Sequence, residues 1–124
     1  PRTLREYIAA SDFCVNAMKG SKLLHGNGNA QKTMEYFACG RTVIETIDPA
    51  LPIPAWLDAN GICVPHEDSL ALSSAIDIAL EQQKHWEVKA LEARASLMTT
   101  HSWKSVVEST FAIIERFQRG KRLS

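Results

Sequence analysis

"HGNGNAQKTMEYFACGRTVIETID", His25 to Asp48, carries a loop, a helix, a stop and a strand within one short span. Its first residues are polar and rich in glycine, and Asn29 is a good N-cap for a helix through about Cys39. Gly40 stands where a helix of that length would close. The β-branched run "TVIETI", Thr42 to Ile47, then reads as a strand. A glycine-bearing loop feeding a helix, followed at once by an apolar strand, is the middle of a β-α-β unit.

Upstream, Leu4, Tyr7 and Ile8 recur at helical spacing, and Ser11-Asp12 breaks into the apolar run "FCVNAM", a buried strand. Downstream, "DPALPIPAWLDANG" holds three prolines, which allow only a short helical turn over Ala55 to Ala59. "GICVP" is a third short strand. "HEDSLALSSAIDIALEQQ" follows as a helix capped by Asp68 or Ser69, with Leu70, Leu72, Ala75, Ile76, Ala79 and Leu80 as its apolar face. Glu67 and Asp68 suit that helix's N-terminal end. Two more helices are expected, about His85 to Met98 and Ser102 to Gln118, the last capped by Ser102 and carrying Val106, Val107, Phe111, Ile113, Ile114 and Phe117. Continuously apolar strands alternating with helices predict a parallel α/β sheet covered on both faces, a three-layer αβα Rossmann-like arrangement.

Composition narrows the function classes. The 124 residues hold 14 basic and 14 acidic side chains, so there is no broad basic surface for nucleic acid. With 45% hydrophobic residues, 23% charged and a mean hydropathy of −0.15, the chain has no apolar run long enough to span a bilayer and no signal-peptide pattern at its start. Cys14, Cys39 and Cys63 lie inside apolar runs without the even count of a disulfide framework, which predicts a reduced, cytoplasmic setting. Cys63 and His66 have no second pair at zinc spacing, so no metal site is expected. The basic "RGKRLS" end reads as a solvated tail, the three tryptophans Trp56, Trp86 and Trp103 as packing residues, and His66, His85 and His101 as surface residues.

Ligands of open parallel sheets gather where strand ends feed helix N-termini, and the opening stretch sits there. Unpaired amides in a first helical turn, backed by the helix dipole, favour a diphosphate. Gly26 and Gly28 permit close backbone approach, and Gly28, Asn29, Ala30 and Gln31 are the expected diphosphate-binding residues, with Lys32 as a neutralising point charge. His25 on the same loop is a further candidate. Glu35, three residues after Lys32, would repel phosphate and instead suits a pair of vicinal ribose hydroxyls, which one carboxylate accepts together. The bland alternative is a solvent-facing loop with Lys32 and Glu35 as an ordinary helix-surface pair. "GNGNAQ" also begins like the dinucleotide fingerprint, but Gln31 fills the third glycine's place.

"EYIAASDFCVNAM", "KTMEYFACGRTVIET", "NGICVPHEDSLALSSAI" and "ARASLMTTHSWKSVVESTFAIIERF" together resemble the later part of the C-terminal domain of family 4 type glycosyltransferases with the GT-B fold. The resemblance runs along almost the whole chain and is sharpest at Glu35 to Gly40. It implies that Glu35 binds the donor ribose, that the loop and helix start before it hold the diphosphate, and that the donor is a UDP- or GDP-sugar transferred with retention, without a metal or other cofactor. The family's first acid falls at Asn27, which places Asn27 near the donor sugar, and Thr42 stands where the family has proline. It further implies a partial GT-B C-terminal domain within a longer enzyme. The glycan or glycoconjugate acceptor would be held by an N-terminal domain, and the enzyme would be cytoplasmic or peripheral to the inner membrane. The catalytic residues are not identifiable in this stretch, and the chain by itself is expected to be inactive. A second copy of the chain is an expected partner, through the edge of the first strand or the last helix. Two other readings stand beside this one: a noncatalytic binding or assembly domain with a degenerate donor site, marked by Asn27, and a sugar-nucleotide epimerase-like domain.

Overall fold

The computed structural model describes residues 2–19 and 31–122. Their order is α1 (Arg2–Ala10), β1 (Phe13–Asn16), α2 (Gln31–Ala38), β2 (Thr42–Ile47), α3 (Ala55–Asp58), β3 (Ile62–Pro65), α4 (Ser69–Glu81), α5 (Gln83–Thr100) and α6 (Trp103–Arg122). The three strands form one parallel sheet in the order β1-β2-β3. Cys14 pairs with Val43 and Asn16 with Glu45 on one side of β2, and Ile44 with Ile62 on the other.

The central strand is the reason the fold has two cores. Alternate β2 residues face opposite sides of the sheet. Val43 joins Phe37 of α2, Leu57 of α3 and Ala90, Ala93 and Leu97 of α5 in one buried cluster. Ile44 joins Ile62, Val64, Ala75 and Ala79 in the other, beneath α4. Phe37, Val43, Ile44 and Leu57 are all fully buried. The molecule is therefore a mixed α/β structure with helices on both faces of a parallel sheet. The small alanines of α4 and α5 let those helices lie close against it.

Local signals set the element ends. Gly40 has a φ of +69°. Its N–H bonds the Phe37 carbonyl at 2.8 Å and the Arg41 N–H bonds the Tyr36 carbonyl at 3.1 Å, the paired closure that a left-handed residue makes after a helix. That turn delivers the chain into β2 after a single residue. Asp68 caps α4 by accepting the Ala71 N–H at 2.8 Å, and Ser102 caps α6 by accepting the Ser105 N–H at 3.1 Å.

Several expectations change. β1 stops at Asn16 instead of running to Met18, because the Met18 N–H turns to the Thr46 hydroxyl at 2.7 Å. α5 begins at Gln83, with only Gln82 between it and the end of α4, and α6 continues to Arg122. The apolar stripe of α4 is narrower than its periodicity suggests: Ala75 and Ala79 are buried, whereas Leu70 and Leu80 are exposed. Trp56 does pack, edge-on against Phe37 with ring centres 6.0 Å apart. Trp103 does not, being 84% exposed. Among the described residues no helix is long and apolar enough to cross a membrane.

Candidate functional site

At the carboxyl end of the sheet, the residues following β1 separate two clefts. The larger, about 490 Å³, lies on the α2 side and is lined by Asn16, Ala17, Met18, Gln31, Lys32 and Glu35. The smaller, about 320 Å³, lies on the α4 side, where Thr46, Pro65, Glu67, Asp68 and Ser69 contribute to its wall together with Met18. The Thr46 hydroxyl holds the wall between them: it takes the Met18 N–H and donates toward the Met18 carbonyl at 3.0 Å. Glu67, beside the smaller cleft, has a φ of 60°, a left-handed conformation uncommon outside glycine.

Three of the residues expected to bind a ligand thus share one cleft: Gln31 and Lys32 in the first turn of α2 and Glu35 one turn on. Helical spacing puts the three on neighbouring positions of one face. Lys32 is exposed and Glu35 half-buried. Glu35 is not paired with Lys32. Its Oε1 accepts the Gln31 side-chain amide at 2.8 Å, an i, i+4 contact that aims the carboxylate along the helix toward the first turn. The remaining candidates, His25, Asn27, Gly28, Asn29 and Ala30, with Gly26, lie outside the described residues, as does the expected Asn29 cap.

Beneath this cleft lies a polar cluster that the sequence reading does not single out. Asn16, Thr33 and Glu45 are 5%, 0% and 2% exposed. The Thr33 hydroxyl donates to Glu45 Oε2 at 2.6 Å. The Asn16 side-chain nitrogen lies 3.0 Å from both carboxylate oxygens of Glu45 and 2.9 Å from the Thr33 hydroxyl. Burial pushes the Glu45 carboxyl above the ordinary glutamate range, and the Thr33 and Asn16 hydrogen bonds pull the other way without cancelling it. A signal for this cluster exists in the sequence: a glutamate inside "TVIETI" must be buried if that strand is central and covered on both faces.

His66, expected on the surface, is half-buried at the end of β3. Its ring nitrogens lie 4.0 Å from Asp48 Oδ1 and 3.8 Å from Glu67 Oε2. His85 and His101 are exposed and rest against Trp86 and Trp56 respectively. The three cysteines are free thiols. Burial raises Cys14, and burial followed by the negative charges of Glu45 and Asp58 pushes Cys63 up to about 12, so both are protonated and poorly nucleophilic. Among the described residues no group of three or more His, Cys, Asp or Glu side chains is placed to hold a metal ion.

Comparison with protein-family models, with curated proteins and with solved structures finds no match.

Proposed function

We propose that this chain carries the donor-binding part of a retaining glycosyltransferase, with the larger cleft receiving a nucleoside diphosphate sugar that is passed to a glycan or glycoconjugate acceptor. The observation that supports this reading best is the gathering of Gln31, Lys32 and Glu35 with the end of β1 in a single cleft at the carboxyl edge of a parallel sheet. Lys32 and the N-terminal end of the α2 dipole supply positive potential for a diphosphate. Glu35, half-buried and held through Oε1 by Gln31, has among the described residues no hydrogen-bond partner at its other carboxylate oxygen, which this reading gives to ligand hydroxyls. The resemblance of Glu35 to Gly40 and the blocks around it to the GT-B glycosyltransferases agrees with the same assignment. Transfer chemistry is assigned to none of these residues; their role in this reading is to bind and orient.

The test is a titration of the chain with UDP, GDP and their sugars, followed by backbone amide shifts, with Glu35→Ala as the control. The expected result is a set of shifts at Lys32, Glu35 and the residues following β1, lost in Glu35→Ala, with one base preferred. A chain whose spectrum ignores every nucleotide at millimolar concentration contradicts the reading.

A further inference from the structure

Asn16 is the one member of the buried polar cluster that also lines the larger cleft. Its side-chain nitrogen is committed on all sides, to Glu45 Oε1, Glu45 Oε2 and the Thr33 hydroxyl. The two hydrogens of an amide nitrogen are used up by such a set, one shared across the carboxylate and one given to Thr33. That fixes which way the amide faces. Among the described residues no donor reaches the amide oxygen, so Oδ1 is the group that Asn16 has left to offer.

We propose that Asn16 Oδ1 is a ligand-binding acceptor on the cleft floor, taking a hydrogen bond from a ribose or hexose hydroxyl, and that Glu45 and Thr33 are positioning residues that hold it in that orientation. The inference rests on the nucleotide-sugar reading of the cleft and adds to it a second polar contact, on β1, facing Glu35 and Lys32 on α2. A carboxylate buried to this degree is costly for a small sheet, and a hydrophobic residue would serve packing better. Its position explains the cost: Glu45 is paired with Asn16 in the ladder and lies under the first turn of α2, so one group ties both walls of the cleft together. The hydroxyl of Thr33, between Lys32 and the rest of α2, transmits the same constraint to the helix.

The experiment compares UDP, UDP-glucose and 2′,3′-dideoxy-UDP binding to the whole chain and to Glu45→Gln, Thr33→Val and Thr33→Ser, with the Asn16 side-chain amide resonances followed alongside those of Lys32 and Glu35. The expected result is that the Asn16 amide shifts with ligand. Glu45→Gln and Thr33→Val each weaken binding about tenfold while still unfolding cooperatively, and Thr33→Ser binds as the parent does. Weaker binding of dideoxy-UDP assigns the hydroxyl to the ribose. A gain from UDP to UDP-glucose that disappears in the variants assigns it to the hexose. If Glu45→Gln does not fold, the Thr33→Val and Thr33→Ser pair makes the comparison. Shifts at Lys32 and Glu35 with the Asn16 amide unmoved, or full affinity in the folded variants, overturn the inference and leave the donor-site reading standing. No response at any of the three overturns both.

Discussion

Thr33 and Glu45 meet at 2.6 Å between α2 and β2, a hydroxyl with no exposed surface donating to the carboxylate of a residue that is only 2% exposed. The contact joins the first turn of the cleft-lining helix to the central strand, and its chemistry makes the stability of the molecule depend on pH.

Because burial raises the folded-state pKa of Glu45 above its unfolded value, the fold favours the protonated form. The associated stability is fully present below the ordinary glutamate range and is lost as pH rises through the raised folded value. Urea midpoints measured between about pH 4 and about pH 8 are expected to fall more steeply with pH for the parent chain than for Glu45→Gln, whose side chain does not titrate there. Parallel pH profiles would contradict the assignment of this shift to Glu45. Tyr36 and Cys63 lie close enough to feel its charge, so their titrations are expected to move in the variant as well.

Gly40→Ala is expected to cost about 1–2 kcal/mol, since an L side chain at positive φ brings its Cβ against the carbonyl oxygen. The new Cβ would also stand 3.3 Å from Leu91 Cδ2 on α5. Chemical denaturation measures this directly, and an unchanged midpoint would mean that the α2 closure is not under conformational restraint.

Lys32→Ala is expected to weaken nucleotide diphosphate binding at low salt and to matter less as salt is added, because an exposed ammonium acts by screened Coulomb attraction. Glu35→Gln is expected to cost tenfold or more at all salt concentrations, since it replaces charge-assisted hydrogen bonds. Dissociation constants at two ionic strengths separate the two; a salt-independent effect of Lys32→Ala would assign it a direct, dehydrated contact instead.

The last helix predicts self-association. Val106, Phe111, Ile114 and Phe117 recur at helical spacing on one side of α6 and are between 45% and 70% exposed, with Trp103 at the same side's start. Concentrated solutions of the chain are expected to scatter light as dimers or larger species, and Phe111→Glu with Phe117→Glu is expected to return a monomer. A parent chain that stays monomeric at about millimolar concentration contradicts this.

Much of the fold is legible because its signals are local. Gly40 closes α2, three prolines restrict the segment before β3 to one helical turn, and "TVIETI" supplies the central strand from Thr42 to Ile47. Gln31, Lys32 and Glu35 are legible as a group for the same reason, since helical spacing alone places them together. What the sequence conceals depends on distant partners. Asn16 and Glu45 are 29 residues apart and become a pair only through strand register. The early end of β1 is set by Thr46, 28 residues beyond Met18. Leu70 and Leu80 have the right period for burial, yet the sheet beneath α4 is wide enough to cover only the stripe centred on Ala75 and Ala79.

The cysteines give the molecule a built-in set of clocks. Cys14 lies on one outer strand, Cys63 on the other, and Cys39 at the turn where α2 closes toward the central strand. Since the first two thiols are kept protonated by their surroundings, an alkylating reagent reaches them at neutral pH mainly when the structure around each one opens. The order in which mass tags appear on these positions therefore reads out which border of the sheet loosens first, without any engineered probe.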